Sequence, residues 1–529
     1  MTARFGKQRL RSFRAFLKEY RRARLGVVGV IIILFFTLLA LFAPILSSND
    51  PIRSSNLASP YSIPGWAKSF PQYSSVPEDA NLTSGSSLSS QSDLTHWQIT
   101  SRPSANDPNK GFASYTPTLS GLFANFTVGK ASSAGGVLAG LNQQANSTIV
   151  INQTLYYPWN YPCEFKIGIT ITPLNRNLTT SQLTLNIYAK SVGGQTYHIL
   201  SPVVYTNPVD PYVHFSSFKS RTPYTLYADN KDFYVTELAK SASSVHTVQF
   251  GFCGPAQTIF SKPGNVTISY LISSNVPVTV VLSRPFVFIQ SAAFGVLGTD
   301  DQGRDIWAQF VFGARVSLEV GLLAAVIAVI IGTVIGLAAG FAGGIVDEGL
   351  MRFNDFLLTL PFLPFLLIIL LLVRLSGATT VISAELVILI LIAFFSWQGI
   401  ARIIRAQVLS VKQRQFVEAS RALGGNSRHI IWKHILPNVM GLVYANMAIT
   451  VPAAILTEAA LTFLGFGDPS VISWGTMLSN AEGAMTSSIH SFVWWWFLPP
   501  GFAIAVLSMA FVFVGFSLDS VLNPRLRQR

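Results

Sequence analysis

SLEVGLLAAVIAVIIGTVIGLAAGFA, Ser317 to Ala342, is an apolar run long enough to cross a bilayer as a helix, which takes roughly 20 mostly apolar residues. Segments 25–46, 355–374, 381–397, 441–464 and 497–518 meet the same standard approximately, which makes six candidate transmembrane helices. The whole 529-residue chain agrees: half of it is hydrophobic, 12% is charged and the mean hydropathy is +0.44. A helical polytopic membrane protein is the fold class this implies.

A formal charge of +13 would fit nucleic-acid binding if it were spread over a surface, but it is concentrated. Arg4, Lys7, Arg9, Arg11, Arg14, Lys18, Arg21, Arg22 and Arg24 face the single acid Glu19 ahead of the first apolar run. Arg402, Arg405, Lys412, Arg414, Arg421, Arg428 and Lys433 face only Glu418 in a second cluster. Basic residues flanking apolar runs follow the positive-inside rule, so both clusters are expected in the cytoplasm and nucleic acid is not an expected partner. The N-terminus and the tail 519–529 then lie inside, and 47–316 and about 465–496 outside. The 465–496 loop carries Asp468 and Glu482 but no Lys or Arg.

The first run, 25–46, is longer than a signal-peptide core and no small-x-small site follows it, so it is expected to be a retained anchor. In 1–24, Leu10, Phe13, Leu17 and Tyr20 recur at helical spacing opposite Arg11, Arg14, Lys18 and Arg21, the pattern of a helix lying on membrane lipid. A disordered basic tail is the alternative.

Between 47 and 285 the helical period gives way to β-branched and aromatic runs: STIVINQTLYY, FKIGITITPL, QLTLNIYAK, HILSPVVY, VHTVQFGF, NVTISYLI and VPVTVVLS, set apart by turn residues. An extracellular, sandwich-like all-β insert is expected. Six sequons fall in it, at Asn81, Asn125, Asn146, Asn152, Asn177 and Asn265, which are glycosylation candidates. Cys163 and Cys253 are the only cysteines and are a disulfide candidate in that compartment, or two buried thiols.

Two motifs carry a family resemblance. LGTDDQGRD, Leu297 to Asp305, lies in the external segment 286–316 ahead of GARVSL, Gly313 to Leu318; its marked residues are Gly298, Thr299, Asp300, Gly303, Arg304 and Asp305. EASRALGGNSRHIIWKHILPN, Glu418 to Asn438, lies in the cytoplasmic loop 398–440. With FAGGIVDEGLMRFNDFLLTLP (341–361), ILTEAALTFLGFG (455–467) and SWGTML (473–478), they resemble ABC-importer permeases of the oligopeptide, dipeptide and nickel class, C-type subunit.

The second motif is similar to the family's EAA loop at Glu418, Ala419, Ser420, Gly424, His434, Leu436 and Pro437; Ser420 replaces the second Ala and His434 stands where the pattern has Ile. Small residues at 419 and 420 allow close approach to another protein, Gly424 allows the chain to reverse, and Pro437 is expected to end the second short helix. The resemblance implies a five-helix permease core over 317–518 that works with a second permease, two ATPases and an extracellular solute-binding protein. It favours di- or oligopeptides, with oligosaccharides as the alternative substrate.

No phosphate-loop motif occurs, since Gly129-Lys130 has Ala124 where the first Gly is needed, so ATP and Mg²⁺ are expected on the partner ATPases. No catalytic residue, metal site or cofactor is expected in this chain. Asp347, Glu348 and Asp355 read as solvated caps, Glu458 as a weak candidate for the passage wall, and Trp494, Trp495 and Trp496 as an interfacial belt. Gly332, Gly336, Gly340 and Gly344 recur every four residues and are expected to form one helix-packing face. An ion-coupled secondary transporter would leave the cytoplasmic motif unexplained, and a membrane-anchored surface sensor or adhesin would need only one helix.

Overall fold

The computed structural model describes residues 20–55, 57–83, 88, 91–102, 113–118, 121–126, 147–160, 164–179, 182–200, 217–229, 254–377, 383–486 and 493–522. The amphipathic stretch before Tyr20, Cys163, Cys253, Asn146 and the basic tail lie outside these. Two compact units divide the chain: one within Met1–Ser54, Asp305–Thr486 and Phe492–Arg529, the other within Ser55–Arg304 and Ser487–Ser491.

The helical unit begins with α1 (Arg24–Leu41) and a short α2 (Ala43–Leu46). After the β-rich unit come α3 (Ile306–Ala342), α4 (Gly344–Thr359), α5 (Phe362–Leu375), α6 (Ala384–Phe395) and α7 (Gln398–Lys412). They are followed by α8 (Gln415–Ala422), α9 (Ser427–Ile430), α10 (Leu436–Phe463), α11 (Trp474–Thr486) and α12 (Trp494–Leu522). Among the described residues, five helices are long and apolar enough to cross a membrane, or six if α4 and α5, which meet at 84°, make one broken span.

The expected bounds shift for local reasons. α3 begins eleven residues before Ser317 because Asp305 caps it, accepting from the Trp307 N–H at 2.9 Å. Stacking of Phe310 on both Trp307 and Trp474 holds its first turns. The third expected span is broken at Leu360–Pro361, where proline cannot continue the helix. The fourth does not stop at 397: Ala384–Lys412 reads as one 29-residue span, so the loop expected at 398–440 shrinks to the stretch beyond Lys412. The segment read as a plain outer loop contains α11.

Gly332, Gly336 and Gly340 face α7; a Cβ at Gly336 would stand 2.6 Å from the Ala401 carbonyl, and one at Gly340 2.8 Å from Val408 Cβ. Gly344 does not belong to this face. α3 ends at Ala342, Gly343 and Gly344 take φ of +70° and +55° to reverse the chain, and a Cβ at Gly344 would meet open space. Trp495 and Trp496 are buried, which removes them from an interfacial belt.

The other unit is a β-sandwich. Its strands are β1 (Gln98–Arg102), β2 (Ala113–Thr118), β3 (Gly121–Phe126), β4 (Ser147–Tyr157), β5 (Phe165–Pro173), β6 (Leu183–Lys190), β7 (Thr196–Leu200), β8 (Tyr224–Asp229), β9 (Gly264–Ser274) and β10 (Val278–Ile289). One sheet has the order β7-β6-β9-β4-β1 and the other β8-β5-β10-β3-β2, with Ala80–Asn81 also beside β10. β4 and β9 pair antiparallel without interruption from Ser147↔Ser274 to Tyr157↔Gly264. Inward residues of both sheets, among them Ile151, Ile187, Tyr270, Ile167 and Leu282, share one core.

This unit was expected to end at 285, but β10 runs through to Ile289. A register shift between Ser283 and Phe286, with Arg284 at φ +49°, lets the strand accommodate Pro285. Asn81, Asn177 and Asn265 are exposed, Asn125 lies on β3, and Asn152 is half-buried in mid-strand.

Candidate functional site

The motif 418–438 is a helical excursion projecting beyond α7. α8 is followed by Gly424, whose φ of +81° is the left-handed conformation that turns the chain, and the Gly425 N–H returns to the Ser420 carbonyl at 2.9 Å. Asn426 then caps α9, its Oδ1 accepting from the His429 N–H at 2.8 Å.

α9 does not end at Pro437. It passes through a π-turn, Ile431–Ile435, directly into α10, and the Leu436 N–H reaches back to the Ile431 carbonyl. A regular α-turn would press the Pro437 ring on the carbonyl four residues earlier, and the wider turn relieves that contact. Ser427–Phe463 is therefore a single 37-residue helical run.

The excursion is tied down on one side. Val411, Val417, Ile430, Ile435 and Val439 join Val329, Ile400, Ile404 and Val408 in one buried cluster, with Leu436 packed against it. Val417 is the only buried residue of α8, and Glu418 and Ala419 point outward with Ser420 half-buried. Leu423 is 88% exposed and Trp432 71% exposed, among the exposed cations Arg414, Arg421, Arg428 and Lys433. His434 is half-buried between Phe416 and His429, with ring centroids 6.0 and 5.7 Å away. Leu423 and Trp432 are thus large exposed apolar side chains on an anchored element, ringed by charge.

Behind the excursion, α7 is bolted to α4. Arg405 holds Asp347 through two bonds, of 2.5 and 2.6 Å, and Arg402 pairs with Asp355. Lys412 Nζ donates to the Phe341 carbonyl at 2.6 Å. Asp347 and Asp355 are thus ion-pair partners and not solvated caps, while Glu348 pairs with Arg352 one turn along. The sequence placed these cations by compartment alone and missed their partners, which lie about fifty positions away in the chain.

Glu458 lines no open space. It is 2% exposed, it accepts from Ser317 Oγ at 3.1 Å, and Ser317 Oγ accepts from the Trp474 N–H at 3.2 Å. The carboxyl ties α10, α3 and the start of α11 together. SWGTML fits the same joint: a Cβ at Gly475 would collide with Thr462 Oγ1.

LGTDDQGRD acquires a structural account in two parts. In the β-rich unit, Asp300 accepts from the Gln302 and Arg304 N–H groups at 2.9 Å each and from Arg304 Nε at 2.5 Å. Thr299 Oγ1 donates to the Ser59 carbonyl at 2.6 Å and accepts from the Ser62 N–H, while Gly298 and Gly303 adopt positive φ. Burial, and then the neighbouring Asp300, raise the Asp301 carboxyl above its ordinary range. In the helical unit Asp305 caps α3 and accepts from Asn49 Nδ2 at 3.1 Å.

Residues 332–528 match the family described as the binding-protein-dependent transport system inner membrane component, and 12–60 match the N-terminal TM domain of oligopeptide transport permease C. The oligopeptide transport system permease protein OppC of Bacillus subtilis (strain 168) is 42% identical over 233 residues, 44% of this chain and 72% of that protein. The chain belongs to the oligopeptide and dipeptide transport permeases, as a C-type subunit. The dipeptide transport permease DppC of the same organism is 40% identical over 44% of this permease and 69% of its own length. OppC of Escherichia coli (strain K12) is 42% identical over 44% and 72%. A solved chain of the MetNI methionine ABC transporter, inward facing, aligns with 42% of this permease and 97% of its own length at 18% identity and a TM-score of 0.33. As a permease the chain is a membrane component of a binding-protein-dependent importer.

Proposed function

We propose that this permease forms half of the passage of an ATP-driven importer for di- and oligopeptides and that Glu418–Pro437 docks on a separate ATPase. The passage is completed by a second, homologous permease; two ATPases bind ATP and Mg²⁺, and an external solute-binding protein delivers substrate. The chain crosses the membrane six times, with α4 and α5 as one broken crossing, both termini cytoplasmic and the β-rich unit outside, where it helps to position the binding protein.

The observation that carries the docking is the anchored excursion whose outer side presents Leu423 and Trp432 to solvent. A buried aromatic anchor at an interface is commonly worth about 2 kcal/mol or more, roughly thirtyfold in affinity. The test is Trp432→Ala in the complete transporter. Expected is normal membrane insertion and pairing with the second permease, at least tenfold weaker retention of the ATPases in detergent, and loss of uptake. Wild-type ATPase retention would remove the docking role from this surface.

A further inference from the structure

At the far ends of α5, α6 and α10 from the excursion lies a cleft of about 220 Å³, with walls that include Leu370, Val373, Val387 and Phe466. Two charged side chains line it, Arg374 at the end of α5 and Asp468 in the turn after α10. Arg374 Nη1 donates to the Gly465 carbonyl at 3.0 Å, and among the described residues its other guanidinium donors bond no protein group. The turn carrying Asp468 is held in place: its N–H donates to Glu385 Oε1 at 3.2 Å, and its Oδ1 accepts from the Ser470 N–H and Oγ at 2.8 and 2.6 Å.

We infer that this cleft is a way-station for a short zwitterionic peptide, with Arg374 receiving the terminal carboxylate and Asp468 the terminal ammonium. The inference rests on the importer reading above. A guanidinium with unused donors matches a carboxylate in a two-bonded fork, which an ammonium in its place would not reproduce. One cation and one anion in the same walls disfavour phosphate and other multiply charged anions, because Asp468 repels them. The apolar lining between the charges suits small aliphatic side chains. Of the lining residues Arg374 and Asp468 are the charged ones, and discrimination by charge falls on them together with Glu385, which accepts from the Asp468 N–H.

The experiment measures ATP-driven uptake of radiolabelled tri-alanine, its C-terminal amide and its N-acetyl form. The complete transporter is reconstituted with its binding protein, and capture of each probe by the binding protein alone is measured separately. Expected is that Arg374→Gln lowers uptake of tri-alanine at least tenfold relative to wild type and leaves the amide within twofold. Arg374→Lys should recover only part of the loss, and Asp468→Asn should reverse the pattern, sparing the N-acetyl form. Equal losses on acid and amide in Arg374→Gln would assign the arginine to lipid headgroups or to the fold, and unchanged tri-alanine uptake would dismiss it altogether; either overturns the inference and leaves the importer reading standing. Failure of the wild type to import any of the three would overturn both.

Discussion

Gly424 is the residue on which the excursion turns. At φ +81° a non-glycine side chain adds of the order of 1–2 kcal/mol of strain, most for a β-branched residue and least for asparagine. A Cβ there meets nothing within 4 Å, so the strain is conformational and not steric. Gly424→Val should insert and pair normally but transport poorly, while Gly424→Asn should retain most uptake; equal activity of the two variants would exclude the backbone as the cause. The sequence marked this glycine through its motif and its neighbours. Gln413→Ala, exposed between α7 and α8, is the indifferent control and should transport nearly normally.

At the scale of elements, α3 and α7 pack closely along Gly332, Gly336 and Gly340. Gly336→Ala should destabilise the helical unit by about 1–3 kcal/mol, since its Cβ meets backbone that cannot move aside. Gly349→Ala, exposed in α4 with open space around it, should stabilise by about 0.5–1 kcal/mol. Thermal unfolding in detergent, followed by light scattering, ranks the pair, and the reverse order would contradict the packing. The four-residue period of these glycines was legible in the sequence; the end of the stripe was not, because Gly344 continues the period while it and Gly343 break the helix. Likewise, hydropathy marks the apolar middle of a span but is silent where amphipathic turns extend it, as at 306–316 and 398–412. Arg405 with Asp347 lay beyond reach because only the folded bundle makes them neighbours. Swapping the two charges in one double variant should restore the stability that either single reversal removes.

For the molecule as a whole, the boundary at Arg304 makes a sharp test of the β-rich unit. Residues 55–304 expressed alone under oxidising conditions should give a strand-type circular dichroism spectrum and a cooperative melt, with no titratable thiol if Cys163 and Cys253 are bridged. Residues 55–285 should not fold, because the cut removes Phe286–Ile289, the last four residues of β10, which pair with Phe165–Gly168. Equal folding of the two fragments would refute the extended boundary. Sidedness is read by single cysteines at two exposed positions: a reagent confined to the cell exterior should label Ser470→Cys and not Ser427→Cys. The sandwich was legible because alternation is strict in β4, β6 and β9; β1, β2 and β8 were not, being short and more polar.

The run from Ser427 to Phe463 passes through the π-turn and Pro452, and if it moves as one body it is a lever. It packs tightly on α3 at Ile455, where a Cβ on Gly321 would come within 2.3 Å of Ile455 Cγ1, which makes that contact the natural axis for such a lever. From Trp432 to that axis is about 35 Å of helix, and from the axis to Phe463 about 12 Å, at 1.5 Å per residue. A stroke of about 6 Å at the long arm would become about 2 Å at the short arm, with roughly threefold greater force. The end that carries Glu458, Thr462 and the turn at Asp468 would then move little and push hard.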